Sequence, residues 1–242
     1  MSEIQLDHIA IATHRLTDAP PFLVGVLGGI PFFGMEAGPF RFGQWEFEGD
    51  GRVEVLEPRG SNGFLHRFLA TRGPGIHHVT FKVPSLRQTC DRAAALGYAI
   101  VGYNDANPYW KEAFLHPKDA LGIVVQLAEA GGKGPTRGKW RTAPPGPTNP
   151  PPPVRIVGLR TRARSEARAH RQWSTLLHGS AARDADTLVF RWPSSPLAIS
   201  VEVDAGADEG ALQIDVVSTR PLPPFGTADT ALGGVFALQR PR

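Results

Sequence analysis

The chain repeats one short strand pattern, and each copy contains a histidine that opens an alternating run. Residues 6–13 read LDHIAIAT and residues 76–83 read IHHVTFKV. Apolar residues alternate with other residues in both runs, as in a strand that buries one face, which leaves His8 and His78 on the opposite face. A second pair of polar residues, Glu54 and Gln126, is separated by nearly the same number of residues as His8 and His78. The repeat predicts a duplicated unit whose copies share one site.

Each copy has the order strand, helix, then two or three strands. The first copy predicts a strand over 5–13, a helix over 15–28 that ends at Gly28, and a hairpin of 39–48 with 52–56. The second predicts a helix after the N-cap Ser85 that stops at Gly97, then strands near 98–103, 113–115 and 122–128.

The region 131–153 is rich in proline and glycine, which predicts an extended linker. Beyond it the order returns, with a strand over 155–162, a helix over 165–177 and strands near 186–192, 197–203, 211–217 and 235–238. No helix fits before the last strand, so the fourth copy is truncated. We expect an α+β fold of tandem βαβββ modules forming a curled mixed sheet around a cavity, followed by a degenerate second pair. The predicted domains are 1–130 and 154–242.

Composition restricts the class of protein. The hydrophobic content of 41% and charged content of 20% are typical of a soluble globular chain, and a net charge of +3 is too small to indicate nucleic-acid binding. The single cysteine excludes an internal disulfide. We find neither a signal peptide nor an apolar run long enough to cross a membrane, so we expect a cytoplasmic location.

The closing strands of the first two copies supply further polar residues on the histidine side. Val53 and Val55 should face the core, which turns Glu54 the same way as His8, and Gln126 is placed equivalently in the second copy. Two imidazoles, a carboxylate and an amide oxygen form a mixed nitrogen and oxygen set. Such a set suits a divalent ion such as Zn, Fe, Ni, Co or Mn.

Residues 5–130 resemble the vicinal oxygen chelate superfamily, which includes glyoxalases, bleomycin-resistance proteins and dioxygenases. Within it they are most similar to methylmalonyl-CoA epimerase-like proteins. The resemblance rests on the runs DHIAIA at 7–12, VEVLEP at 53–58, IHHV at 76–79, FLHPKD at 114–119 and GIVVQL at 122–127. It implies paired βαβββ modules around a divalent metal, with these ligands: His8, Glu54, His78 and Gln126.

Two departures from the epimerase pattern bear on the chemistry. Epimerases of this group have a glutamate where Gln126 stands, and a neutral amide can ligate a metal but cannot act as a base. An aromatic insertion that includes Tyr109 and Trp110 replaces the expected glycine-rich loop. These two side chains either contact substrate at the rim of the site or pack at a domain interface.

Glu46 and Glu48 are the candidate general bases. A three-residue turn over 49–51 would place Glu46 opposite Glu54, whereas a two-residue turn would place Phe47 there, and we favour Glu46 as the catalytic residue. The positions in the second domain that match His8 and His78 are near Val157 and Gln213, so we expect no metal there.

The favoured function is a metal-dependent lyase or isomerase of the glyoxalase or epimerase type, which stabilises an enolate of a small oxygenated or thioester substrate. The alternatives are a non-catalytic protein that sequesters a small ligand, and an extradiol-type dioxygenase. The arginines over 155–171 form either a solvated face or a site for an acidic cofactor such as coenzyme A. We expect a monomer with pseudo-dimeric tandem domains, or a homodimer, that binds neither nucleic acid nor membranes.

Overall fold

The computed structural model describes residues 3–131, 143–225 and 229–239. Their strands form two mixed sheets. Sheet A contains β1 (Gln5–Ala12), β2 (Ile30–Ala37), β3 (Phe40–Glu46), β4 (Arg52–Pro58), β5 (Gly75–Lys82), β6 (Ile100–Asn104), β7 (Trp110–Leu115) and β8 (Val124–Ala130). Sheet B contains β9 (Arg155–Ala163), β10 (Ser180–Asp184), β11 (Thr187–Arg191), β12 (Ala198–Val203), β13 (Gly210–Val217) and β14 (Phe236–Gln239).

Helices are few and short among the described residues. The α-helices are α1 (Pro20–Leu23), α2 (Phe64–Arg72), α3 (Leu86–Ala95) and α4 (Glu166–His170), the last of which continues as a π-helix over Arg171–Leu176. One-turn 3-10 helices occupy Leu16–Asp18, Glu48–Asp50 and Thr230–Leu232. Within the described part of the chain, each helix is too short or too polar to span a bilayer.

The strand order confirms the duplicated design. Sheet A has the order β2-β3-β4-β1-β5-β8-β7-β6, so each half runs from two outer strands to a closing strand and then an opening strand. The closing and opening strands pair in parallel, β4 with β1 and β8 with β5. Sheet B has the order β10-β11-β12-β9-β13-β14, with the same parallel pairs β9–β12 and β13–β14. Its second half consists of a single pair, as expected for a truncated fourth copy. The predicted α+β class is therefore confirmed.

Contacts divide the chain into two compact units. One combines Met1–His8, His78–Thr136 and Gly158–Leu212, and it contains α3 and α4. The other combines Ile9–His77, Arg137–Val157 and Gln213–Arg242, and it contains α1 and α2. The division into domains at residues 130 and 153 stays a prediction.

The first predicted helix is much shorter than expected. Proline is tolerated in the first turn of a helix, where its missing N–H is not needed, but it disrupts helix interiors. The α-helix therefore starts at Pro20, with a separate 3-10 turn before it. The segment still ends at Gly28, as predicted, with φ of 74°.

The second helix agrees with prediction. Ser85 lies in the extended region, and its side chain accepts a hydrogen bond from the amide of Gln88 at 3.3 Å, which satisfies one unpaired donor at the start of α3. Gly97 follows the helix with φ of 82°, a conformation that favours glycine. The N-cap at Ser85 and the helix stop at Gly97 were both predicted from the sequence, and both are confirmed.

Helix α2 was not predicted. Its buried residues, Leu65 and Leu69, are four apart and pack against Ala10, Ala12 and Leu56. The two alanines alternate with Ile9 and Ile11 and are themselves fully buried. Both sides of β1 beyond His8 are therefore covered, and not just the isoleucine side.

The predicted linker is described only in part, because residues 132–142 lie outside the described residues. Residues 143–153 have neither helix nor strand. Gly146 lies so close to α1 that a Cβ atom there would be 2.3 Å from Cβ of Val24. This stretch is packed against its own unit, and the glycine permits the close approach.

Candidate metal centre

The two predicted histidine ligands lie close together. His8 is on β1 and His78 is on β5, and their side chains are buried, with 2% and 5% of each residue exposed. Their ring centroids are 6.1 Å apart with an interplanar angle of 69°. The predicted proximity of the two imidazoles is confirmed.

Asp7 orients the first imidazole. Its Oδ2 atom lies 2.8 Å from Nδ1 of His8, and its Oδ1 atom lies 2.5 Å from Nζ of Lys82. Burial alone would raise the pKa of Asp7, but the hydrogen bond and charge of His8, together with Lys82, hold this pKa well below its usual range. An ionised Asp7 accepts the Nδ1 proton, so Nε2 is the nitrogen of His8 that would bind a metal, in place of its contact with Thr80.

Thr80 connects the first imidazole to Gln126. The Thr80 side chain is fully buried, and its Oγ1 atom lies 2.9 Å from Nε2 of His8. The same hydroxyl donates to Oε1 of Gln126 at 2.6 Å. Thr80 and Gln126 are direct partners in the parallel ladder of β5 and β8, so the strand register sets this contact.

Glu112 holds the other end of the Gln126 amide. Nε2 of Gln126 donates to Oε2 of Glu112 at 2.7 Å. The indole of Trp110 donates to that same oxygen at 3.0 Å. Both donors and the acceptor belong to the β7–β8 hairpin, on the side that carries Gln126.

Glu54 is buried on β4, with 7% of the residue exposed. Its cross-strand partner on β3 is Gln44, whose amide donates to Oε2 of Glu54 at 2.8 Å. The hydrogen bond leaves the other carboxylate oxygen, Oε1, out of this pair. The pairing of β3 with β4 thus supports the carboxylate of Glu54, which was predicted on this side of the sheet.

His8, Glu54 and His78 each offer one ligand atom, and these atoms lie within 4.8 Å of one another. Bonds of about 2.0–2.2 Å to a shared ion place ligand atoms up to about 4.4 Å apart. Two imidazoles with a carboxylate are also the donor types that divalent transition ions prefer. The chemistry of this set fits a divalent metal, and its spacing reaches the bonding range once the most distant ligand atoms move closer by about 0.4 Å or more. The role of each residue as a ligand stays a prediction.

His77 has a different environment, although it precedes His78 directly. Its ring lies 5.5 Å from the ring of Phe64 and 4.9 Å from that of Phe68, both on α2. Burial lowers the pKa of His77 to about 4, against the opposing charge of Glu54. His77 is therefore neutral near pH 7 and packs among aromatic rings.

The expected position of Glu46 is wrong. The turn after β3 includes a 3-10 helix over Glu48–Asp50, and the register pairs Glu46 with Arg52 and not with Glu54. The Glu46 carboxylate accepts from Arg52 at 2.9 Å, and it is partly exposed. The longer turn moves Gln44 to the place predicted for Glu46. A role for Glu46 as a base stays untested.

The aromatic pair divides between two environments. Tyr109 is 47% exposed, whereas Trp110 is partly buried and bonds to Glu112. Trp110 therefore contacts the hydrogen-bonded network around Gln126. Substrate contact by either side chain stays a prediction.

Sequence reasoning missed four polar residues around the predicted ligands: Asp7, Gln44, Thr80 and Glu112. Thr80 follows His78 by two residues on the same side of β5, so alternation could have indicated it, whereas alternation places Asp7 on the opposite side of β1 from His8. Gln44 and Glu112 required the pairing of neighbouring strands. Gln213, which lies in sheet B near the position that matches His78, donates to Asp215 at 2.8 Å.

A family model described as the Glyoxalase/Bleomycin resistance protein/Dioxygenase superfamily matches residues 7–114. The uncharacterized protein YqjC of Bacillus subtilis is 31% identical over 135 residues, which cover 53% of this chain and 94% of YqjC. The chain belongs to this superfamily. An ethylmalonyl-CoA/methylmalonyl-CoA epimerase of Cereibacter sphaeroides is 30% identical over 82 residues, or 32% of this chain and 61% of the epimerase.

Two solved structures support the fold of this superfamily member. Hypothetical protein BH1468 from Bacillus halodurans has a TM-score of 0.51 and 26% identity, covering 56% of this chain and all (100%) of BH1468. A mutant of 4-hydroxymandelate synthase from Streptomyces coelicolor has a TM-score of 0.63, covering 96% of this chain and 75% of the synthase. Its identity is 13%, so this second likeness shows the fold alone.

Proposed function

We propose that this protein is a divalent-metal-dependent lyase or isomerase of the glyoxalase or epimerase type, acting on a small oxygenated or thioester substrate. The observation that carries the proposal is the buried set of His8, Glu54 and His78, whose ligand atoms lie within 4.8 Å of one another. The similarity to an ethylmalonyl-CoA/methylmalonyl-CoA epimerase supports the same class.

Each residue of the set has a defined task in this proposal. His8 and His78 would hold the ion through imidazole nitrogens, Glu54 through a carboxylate oxygen, and Gln126 through its amide oxygen. A bound divalent ion would supply a Lewis acid that polarises adjacent substrate oxygens and offsets the charge of an enolate. Asp7 would keep His8 in the ligating tautomer, and Gln44 would orient Glu54.

Proton transfer needs a carboxylate or imidazole outside the ligand set, because an amide at position 126 cannot accept a proton. Glu46 is one proposed base, at the Arg52 end of β3. Tyr109 and Trp110 are proposed to contact substrate.

Metal analysis of the purified protein is the first test. We expect about one equivalent of a divalent transition ion in the wild type after loading, and its loss in His78→Ala. The neighbouring variant His77→Ala is the matched control and should retain the metal. Equal metal content in wild type and His78→Ala would contradict the proposed site.

A second test separates catalysis from sequestration. The loaded protein is incubated in D2O with a panel of α-hydroxy acids, α-ketoaldehydes and acyl thioesters, and proton exchange at the carbon next to the carbonyl is followed by NMR. Exchange that His78→Ala abolishes supports the enzyme. Tight binding of a compound without exchange or turnover would favour a protein that sequesters ligands.

A further inference from the structure

The amide of Gln126 lies between two groups of opposite hydrogen-bonding character. We infer that Glu112 is a positioning residue which, together with Thr80, turns this amide so that its oxygen faces the His8 side. All four residues belong to the same compact unit. The consequence for metal binding rests on the function proposed above, whereas the orientation itself does not.

The orientation follows from which atoms can donate. An ionised carboxylate only accepts hydrogen bonds, so the neighbour of Glu112 must be the NH2 end of the amide, at 2.7 Å. The opposite end is then the oxygen, which accepts from the Thr80 hydroxyl at 2.6 Å. A flipped amide would set oxygen against the Glu112 carboxylate. The assignment of oxygen and nitrogen is thus decided by chemistry.

The carboxylate is itself held in place. Oε2 of Glu112 also accepts from the indole of Trp110, at 3.0 Å. Gln126 is 8% exposed and Thr80 is fully buried, which keeps bulk water from replacing either partner of the amide. Glu112 is two residues from the cross-strand partner of Gln126, Phe114, and so lies on the same side of the hairpin.

The need for such a partner arises because position 126 carries an amide. The two oxygens of a carboxylate are equivalent ligands, whichever way the group is turned. An amide offers one ligating oxygen, while its NH2 group has no lone pair to donate. An acceptor at the nitrogen end therefore determines whether Gln126 can contribute to an N/O metal site.

The metal-independent test is the side-chain 15N–1H resonance of Gln126 in the metal-free chain. In wild type we expect a shifted, slowly exchanging NH2 pair, because one proton is bonded to a carboxylate. Glu112→Leu removes this acceptor and should move the pair away from its wild-type values. Glu112→Gln should keep the wild-type pattern, since the new amide oxygen still accepts. Identical spectra for wild type and Glu112→Leu would overturn the inferred orientation.

The metal-dependent test is the affinity for Co2+, measured from its visible absorption in the same variants. We expect Glu112→Leu to weaken binding about tenfold, as removal of an outer-shell partner commonly does. Glu112→Gln should remain near wild type, which separates orientation from the loss of charge. Glu129→Leu is the matched control, because Glu129 is on β8 and pairs with Lys111.

A double-variant comparison identifies the path of the effect. In a Gln126→Ala background, Glu112→Leu should cause no further loss of Co2+ affinity, because the group it orients is absent. An additive loss would overturn the inference and leave the metal site standing. Absence of Co2+ binding in the wild type would instead contradict the proposed function, and the resonance of Gln126 would still decide the orientation.

Discussion

Asp7 and His8, which are neighbours in the chain, hydrogen-bond to each other through Oδ2 and Nδ1 at 2.8 Å. Neighbouring residues in a strand point to opposite faces, so this contact turns the carboxylate back toward the imidazole. It is the kind of carboxylate–histidine pair that supports metal ligands in proteins. We therefore expect the loss of Asp7 to weaken metal binding and not only to lower the stability of the fold.

We expect Asp7→Ala to weaken Co2+ binding by about 10- to 100-fold, because His8 loses the acceptor that fixes its tautomer. The affinity is measured by titration of the metal-free protein. Asp18→Ala is the control, since Asp18 pairs with the exposed side chain of Arg15. An unchanged affinity in Asp7→Ala, alongside a weakened one in His8→Ala, would show that Asp7 has no supporting role.

The register of β3 against β4 gives two glutamates different partners, Gln44 for Glu54 and Arg52 for Glu46. Glu54→Gln removes the charge of a proposed ligand and should weaken Co2+ binding by at least about tenfold, or about 1.4 kcal/mol. Glu46→Gln alters a carboxylate that pairs with Arg52 and should leave the affinity within about threefold. Equal losses in both variants would indicate general electrostatics and not ligation.

Much of the fold could be predicted from local sequence patterns. Alternation predicted β1 and β5, and the N-cap Ser85 with the stop at Gly97 predicted α3. The short α1 results from two opposing signals, an apolar periodicity that favours a long helix and a proline that fixes where the helix starts. The sequence alone did not show which signal would dominate. Helix α2 was overlooked, although Leu65 and Leu69 have helical spacing and Phe64 and Phe68 repeat that spacing on the same face.

The site was predictable where one strand suffices and not where two strands must be aligned. His8 and His78 follow from alternation within their own strands. Gln44 and Glu112 become neighbours of the predicted ligands only through cross-strand register. The length of the turn after β3 sets that register, and a 3-10 turn with Gly49 at φ 75° could not be chosen over a tighter turn from sequence.

The overlooked helix provides a test of the core. Leu65 on α2 is 1% exposed and packs in the cluster with Ala10 and Leu56. We expect Leu65→Ala to lower the free energy of unfolding by about 2–5 kcal/mol, measured by urea denaturation. Thr71→Ala, at an exposed position of the same helix, should change it by less than about 0.5–1 kcal/mol. A comparable small effect at both positions would mean that α2 does not support the core.

The single cysteine gives a pH-dependent readout of packing. Burial, with a contribution from Asp91 and against that of Arg87, raises the pKa of Cys90 from 9.0 to about 11. At pH 8 the folded protein should therefore react with a thiol reagent about 100-fold more slowly than the urea-unfolded chain, since the thiolate is the reactive form. The rate should rise about tenfold per pH unit up to pH 10. A rate equal to that of the unfolded chain would contradict the buried position.

The Arg168–Glu209 pair makes part of the stability depend on pH. Two hydrogen bonds of 2.8 Å join the guanidinium to the Glu209 carboxylate. Burial raises the pKa of Glu209, but the bonds from Arg168 and from the Arg164 amide outweigh it, so this pKa lies below 4.5. The folded state thus favours the ionised form. The stabilisation is present above pH 4.5 and disappears as the pH falls through the lowered pKa of the folded state.

We therefore expect Glu209→Gln to lower the free energy of unfolding by about 1 kcal/mol at pH 7, a value limited by the partial exposure of Arg168. The difference from wild type should be smaller at pH 3 than at pH 7, because acid favours the protonated form of wild-type Glu209. Urea denaturation at both pH values measures it. Glu166→Gln is the matched control, because Glu166 and its partner Arg183 are each 50% exposed, and it should have little effect at either pH. A Glu209→Gln deficit that stays constant from pH 7 to pH 3 would mean that the ionised carboxylate contributes nothing beyond its shape.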